Sequence, residues 1–295
     1  MGLFDSIFNV KDKIGNGGII GNSGVDLRDS YEKKCQAREY INQAKQYVRE
    51  GNDIYDKAYS KVSSYAAETE YQLYQHCDYK KRIARELGGS VSEVLNNFSK
   101  FNIDAKVIET PSINTNDKKI DVDIFKSTVS SCISNDKIGS IFDIWISDVD
   151  YYEAKRQKQE AKLFKERMKA EREKLYAYKE KMSEIRRFIS SEKNEIDSIM
   201  GKVNKMTNEL NCGMKKESFT CQEAEYLKAI HKITEMLSDL LSTEFLSDSF
   251  SITTKYQGLY DKIKMINQEL PIAPSINDST TLDAIKIILE STVVY

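Results

Sequence analysis

Apolar residues recur every seven positions between residues 161 and 210. One line of this repeat is apolar throughout, and it consists of Ala161, Met168, Leu175, Met182, Ile189, Ile196, Val203 and Leu210. A second line, offset by three residues, consists of Phe164, Glu171, Tyr178, Ile185, Glu192, Ile199 and Met206. Two such lines form the seam of a coiled coil, the stripe that a neighbouring helix buries. We therefore predict one long helix, on the order of 75 Å at about 1.5 Å per residue.

Two glutamates interrupt this stripe. Glu171 and Glu192 are the only charged residues on the two lines. We interpret them as register-setting residues that pair with a basic residue on a partner helix, at some cost in stability. The predicted seam contacts are Met168, Leu175, Met182, Ile185, Ile189, Ile196, Ile199 and Val203.

A second long helix is predicted from Val25 to Leu87. Its two lines are Ile41, Val48, Tyr55 and Val62, and Ala37, Ala44, Gly51, Ala58 and Tyr65. The small residues allow a neighbouring helix to approach closely, and apolar flanks widen the stripe enough for more than one neighbour. Gly88 and Gly89 are expected to end this helix as a glycine cap. The fold class predicted is therefore all-α, an elongated helical bundle or coiled coil.

Three helices of ordinary length are predicted after the heptad-repeat helix, which begins at Tyr151 and ends near Gly213, and they form a smaller C-terminal helical cap. Thr220 and Glu223 match a capping box at the start of the first. The other two run from about Thr253 to Leu270 and from Ser279 to Thr292. The predicted organisation is an amphipathic helix (1–14), a glycine-rich tether (15–24), a long-helix bundle (25–212) and the helical cap (213–295).

The first fourteen residues, MGLFDSIFNVKDKI, form a short amphipathic pattern. Its apolar face consists of Leu3, Phe4, Ile7, Phe8 and Ile14. Such a helix suits a membrane interface, and docking onto a protein surface is the alternative. MGLFD followed by this turn resembles the start of the phage-shock protein A and vesicle-inducing plastid protein family. The resemblance implies a coiled-coil protein that remodels membranes.

The most apolar cluster of the chain lies between residues 138 and 149. It includes Ile141, Phe142 and Trp145, the only tryptophan. These residues either become buried where several helices meet, or form a tip that contacts a partner or a membrane. The helical period fails between residues 102 and 119. A small hairpin within residues 102–125 is one interpretation, and a helix that starts near residue 120 is the other.

Charge limits the partners. The chain has 44 basic and 46 acidic residues, a formal net charge of -2, so we expect no nucleic-acid partner. The stretch 153–187 is nevertheless basic, with 13 Lys or Arg against 7 Asp or Glu. Lys165, Arg172, Lys179 and Arg186 lie along one side of the seam. Identical helices in register would place like charges together, so an intrachain or an acidic partner is favoured.

The sequence contains little that predicts catalysis. His76 precedes Cys77 and Asp78, but adjacent helical residues point about 100° apart and do not converge on one atom. His231 is expected at the edge of a core. The five cysteines form no Cys-x-x-Cys pair and are expected to be reduced and mostly buried, in a cytoplasmic protein. We predict no enzyme activity, catalytic residue, metal, cofactor or small-molecule substrate.

The order of amphipathic helix, glycine-rich tether and long helix predicts a structural or interaction protein. Our leading interpretation is a coiled-coil scaffold, or a subunit of a membrane-remodelling assembly, that associates peripherally with membranes and binds a protein partner or itself. The alternative is a soluble coiled-coil subunit of a multiprotein complex. A third interpretation is an α-helical pore-forming protein.

Overall fold

The computed structural model describes residues 21–91, 150–213 and 220–290. In these residues there are five α-helices and no strand. The helices are α1 (Gly21–Glu86), α2 (Tyr151–Gly213), α3 (Cys221–Ser242), α4 (Thr254–Glu269) and α5 (Ser279–Glu290). The prediction of an all-α fold is confirmed. Across the described ranges, no helix is long and apolar enough to cross a membrane.

Several sequence predictions fall outside the described residues. They concern the apolar face of residues 1–14 (Leu3, Phe4, Ile7, Phe8 and Ile14), the cluster of Ile141, Phe142 and Trp145, and the hairpin suggested for residues 102–125.

The bounds of α2 agree with the prediction, whereas both ends of α1 differ from it. α1 begins at Gly21, four residues before the predicted start at Val25. It ends in a π-helical turn, Leu87–Val91. No glycine of the described segments has a positive φ, so the predicted glycine cap at Gly88 and Gly89 is wrong. Leu87, the first residue of this turn, is buried. The sequence pattern had predicted only the end of the helix at this point.

Contacts divide the described residues into two compact units. The first unit contains residues 21–62 and 150–176, and the second contains residues 63–91, 177–213 and 220–290. Within each unit α1 and α2 lie side by side in parallel, because contacting residues are a nearly constant distance apart in sequence. Glu50 and Lys165 pair in the first unit, 115 positions apart. His76 and Glu192 pair in the second unit, 116 positions apart.

Small residues of α1 permit close packing in the first unit, as predicted. Ala37 and Ile41 bury against Ala154 of α2. A Cβ atom added at Gly51 would lie 2.9 Å from Cε1 of the buried Phe164. The two helices therefore touch at a distance that a larger residue at position 51 would prevent.

The heptad stripe of α2 is buried at nearly every predicted position. Met168 and Leu175 are buried in the first unit. In the second unit the buried positions are Met182, Ile185, Ile196, Ile199 and Val203. Ile189 is only half-buried, so it contributes less to the core than its place in the repeat suggested.

The buried stripe of α1 changes register at the boundary between the units. Its buried positions alternate by four and three residues up to Ala58 and Val62, but the next one is Ala66, four residues on. The companion line then continues as Leu73, Lys80 and Leu87. Such a stutter rotates the buried face about the helix axis. Tyr65, which was predicted in the seam, is therefore only half-buried.

Helices α3, α4 and α5 belong to the second unit and have the predicted starts. Thr220 and Glu223 form the predicted capping box, with the Glu223 amide donating to Thr220 Oγ1 at 3.2 Å. Thr253 caps α4 through its side chain alone, with Oγ1 accepting a hydrogen bond from the Tyr256 amide at 3.3 Å. These caps satisfy amides that the first helical turn leaves without partners.

Lysines bind carbonyl groups at the C-terminal ends of α4 and α5. The buried Lys202 of α2 donates to the carbonyls of Asn267 and Leu270, the latter at 2.7 Å. Lys232 of α3 donates to the Leu289 carbonyl at 3.2 Å. Cations favour the negative end of a helix dipole, so these lysines hold α4 against α2 and α5 against α3.

We predict that Gly51→Ala destabilises the protein although alanine favours helix. The added methyl group meets Phe164 and the Lys165 backbone, 3.3 Å away at Cα, and both lie in a packed interface. Gly201→Ala is the matched control, since position 201 is exposed in α2 and an added Cβ meets no atom within 4 Å. Urea unfolding should show a loss of about 1–3 kcal/mol for Gly51→Ala and a gain of up to about 1 kcal/mol for Gly201→Ala. Equal effects would contradict the packing described.

We also predict unequal effects along the α2 seam. Ile196→Ala removes a fully buried side chain and should lower the free energy of unfolding by about 2–5 kcal/mol. Ile189→Ala should cost clearly less, because Ile189 is half-buried. Thermal or urea unfolding of both variants measures the difference, and an equal or larger loss at position 189 would refute it.

Candidate functional site

A groove runs between α1 and α2 in the second unit, with a volume of about 540 Å³. The α1 wall consists of Tyr65, Gln72, Gln75, His76 and Tyr79. The α2 wall consists of Ser183, Arg186, Arg187, Ile189, Ser190 and Lys193. We call this feature the α1–α2 groove.

The α1–α2 groove is cationic. Arg186, Arg187 and Lys193 line it, and the described lining residues include no Asp or Glu. Arg187 and Lys193 are exposed at its rim. Arg186 forms a two-point ion pair with Glu68, at 2.8 and 3.1 Å, and donates to Gln72 at 3.0 Å. The groove therefore offers exposed positive charge beside a partly neutralised arginine.

Tyrosines of α1 and cations of α2 alternate along the groove. Lys179 and Arg186 lie over the Tyr65 ring, 4.9 and 4.5 Å from its centre. Lys193 lies 5.8 Å from the centre of the Tyr79 ring. The three cations are seven residues apart on α2, and the two tyrosines are two heptads apart on α1. Cation–π contacts of this kind hold the charged side chains in place along the groove.

His76 forms the floor of the groove and belongs to a buried network. It is 4% exposed, and its Nε2 lies 2.9 Å from Glu192 Oε2. The other Glu192 oxygen accepts a hydrogen bond from the Tyr256 hydroxyl of α4. Glu192 thus joins α1, α2 and α4, and the prediction that it pairs with a basic residue on a partner helix is confirmed. The same prediction is wrong for Glu171, which pairs at 2.8 Å with Lys174 of its own helix.

Lys80 adds a buried cation to this network. It is 1% exposed, and its Nζ lies 4.4 Å from the centre of the Tyr256 ring and 5.8 Å from that of Phe245. Burial lowers the pKa of Lys80, and the nearby Glu192 opposes this shift. Burial and Glu192 both raise the pKa of Tyr256, so its hydroxyl stays protonated and donates.

Tyr79 fixes the far end of the groove. Its hydroxyl lies 3.1 Å from Asp197 Oδ1 and 3.2 Å from the Lys193 carbonyl oxygen. Burial, and then the Asp197 charge, raise the pKa of Tyr79. Arg82 pairs with the same Asp197 oxygen at 3.0 Å. Arg82 and Tyr79 therefore both engage Asp197 at this end of the groove.

The groove residues were mostly missed at the level of sequence. Of the predicted seam residues, Tyr65 of α1 and Ile189 of α2 line the groove, and Arg186 was recognised only as part of a basic flank. The signal that could have revealed the groove is the heptad spacing of Tyr65, Gln72 and Tyr79 opposite Arg186 and Lys193.

The described cysteines depart from expectation. Cys35 and Cys221 are exposed, Cys77 is half-buried, and none of the three forms a disulfide. They were expected to be mostly buried, and that expectation is wrong for these residues. Cys77 follows the buried His76 by about 100° around α1, which turns it away from the seam.

We predict that Tyr256→Phe costs more stability than Tyr260→Phe. Tyr256 donates to a buried carboxylate, whereas the Tyr260 hydroxyl pairs at 2.8 Å with that of Ser191, a neutral partner. Both rings are buried in α4, so the substitutions are matched. Urea unfolding should show a loss of about 1.5–3 kcal/mol for Tyr256→Phe and about 0.5–1.5 kcal/mol for Tyr260→Phe. The reverse order would argue against the central place of Glu192.

Comparison with known proteins does not assign this chain to a family, since no protein-family model, curated protein or solved structure matches it. The resemblance of residues 1–14 to the phage-shock protein A family stays a prediction.

Proposed function

We propose that this protein is a non-catalytic helical scaffold that attaches peripherally to membranes and binds a protein partner. The observation that carries the scaffold role is the pairing of α1 with α2 inside one chain, through a seam that includes the buried Glu192. A seam satisfied within the chain leaves the outer helix faces for partners.

The buried ionisable groups also support a structural role. Glu192 has both oxygens engaged, by His76 and by Tyr256. A general base needs a free position from which to reach a substrate proton. These side chains are instead bonded to one another across three helices, which is what a structural tie requires.

The membrane attachment rests on residues 1–14. In a helix, the spacing of Leu3, Phe4, Ile7, Phe8 and Ile14 would place five large apolar side chains on one face. Burying such a face at a lipid interface is favourable in proportion to the apolar area removed from water, roughly 25 cal/mol per Å². The resemblance to the phage-shock protein A family supports the same role.

A second candidate function is a soluble subunit of a protein complex. The α1–α2 groove favours it, because exposed Arg187 and Lys193 can attract an acidic protein without any lipid. In that case the apolar face of residues 1–14 would dock onto protein. The two candidates differ in what Phe4 and Phe8 contact.

We predict that the full-length protein floats with vesicles of phosphatidylcholine and phosphatidylserine, and that Phe4→Glu combined with Phe8→Glu abolishes flotation. The charged side chains would have to enter the lipid interface at a large desolvation cost. The control combines Ser6→Glu with Asn9→Glu, which adds the same charge to the polar face and should largely preserve flotation. Wild-type protein that stays with the soluble fraction, or a phenylalanine variant that floats as well as wild type, would refute membrane attachment.

A further inference from the structure

We infer that the α1–α2 groove binds an acidic helical segment of a partner protein. This inference rests on the proposed scaffold function and names the chemistry of its partner. Three observations carry it: the side of the helix pair opposite α4, the heptad spacing of the cations, and the recessed floor.

One side of the α1–α2 pair is covered by α4, and no other described helix lines the groove on the opposite side. On α2, Ser191 and Ser198 contact α4, with hydrogen bonds of 2.8 Å to Tyr260 and 3.1 Å to Asn267. Ser190 and Lys193 lie on the groove side. Packed helices leave grooves between neighbouring ridges, and a further helix is the usual occupant of such a groove. The shape therefore favours a helix as the ligand.

The charge pattern selects an acidic helix. Arg186, which Glu68 partly neutralises, and the exposed Lys193 are seven residues apart, which corresponds to about 10.5 Å along α2. Carboxylates seven residues apart on a helix lying along the groove would have the same spacing. Arg187 forms no hydrogen bond or ion pair with the described residues, so its guanidinium can bind a carboxylate at two points.

The recessed floor favours a peptide over a lipid surface. His76 and Tyr79 are 4% and 9% exposed, although both line the groove. A flat bilayer would reach only the exposed rim, which includes Arg187 and Lys193. Side chains projecting from a helix can enter the groove and reach the amides of Gln72 and Gln75.

The test uses full-length protein and a fluorescent synthetic helical peptide of three heptads, with glutamate at every seventh position. Fluorescence anisotropy measures its binding at 50 mM and 150 mM salt. We expect binding that weakens with salt, because exposed charges are screened. The same peptide with glutamine in place of glutamate should bind at least tenfold more weakly.

Variants locate the binding. Arg187→Glu combined with Lys193→Glu should weaken the affinity for the glutamate peptide at least tenfold. Lys228→Glu combined with Lys255→Glu makes the same charge change at exposed positions of α3 and α4, outside the groove lining, and should change the affinity less than threefold. Gln75→Glu adds a carboxylate to the lining without removing a described contact, and should also weaken binding. Circular dichroism checks that each variant keeps its helix content.

Equal binding of the two peptides, or equal weakening by the groove and control pairs, would overturn the inference. The inference would also be overturned if Arg187→Glu combined with Lys193→Glu weakened binding to phosphatidylserine vesicles but not to the peptide, since a lipid would then be the ligand. The variant that combines Phe4→Glu with Phe8→Glu should bind the peptide like wild type. Loss of flotation with intact peptide binding in this variant separates the membrane attachment from the groove. Wild-type protein that floats with vesicles but does not bind the glutamate peptide would reject the groove inference alone.

Discussion

The second unit depends on one buried carboxylate. Glu192 occupies a seam position of α2 that an apolar residue would normally fill, and it is fully buried. This buried polar group is tolerated because His76 and Tyr256 bond to its two oxygens and Lys80 lies nearby. Removing one partner of such a buried group leaves an unsatisfied charge, which costs more than the pair contributes. The contacts of Glu192 with His76 and Tyr256 consequently favour one register of α1 on α2 and one position of α4.

The register change in α1 explains why the buried contacts of Glu192 and the α1–α2 groove occur together. After Val62 the buried stripe steps by four residues to Ala66, and this step places Lys80 in the core. The same rotation moves Tyr65 and Tyr79 from the strict heptad line to the wall of the groove. There their rings support Lys179, Arg186 and Lys193 of α2. A single shift in helical phase thus creates both a buried polar network and a cationic surface.

Much of the fold could be predicted from local pattern. Four predictions agree with the structure. They are the start of α2, the capping box at Thr220, the close approach at Gly51 and the pairing of Glu192 with a basic residue. The failures have physical causes. Ile189 is half-buried because it borders the groove, and Glu171 finds a partner one turn away in its own helix. Gly88 lies in a π-helical turn, because the neighbouring Leu87 is buried there and the backbone continues past the expected stop.

By itself, the sequence determined which segments are helical and which face of each helix is apolar. Periodicity, capping residues and glycine spacing act within a few turns, so they can be recognised without knowing the neighbours. Only the tertiary structure decided that α1 pairs with α2 in parallel, and that His76, Glu192 and Tyr256 meet. Residues 116 and 64 positions apart come together there. The groove emerges at that same level, because it exists only where two helices place their flanks beside each other.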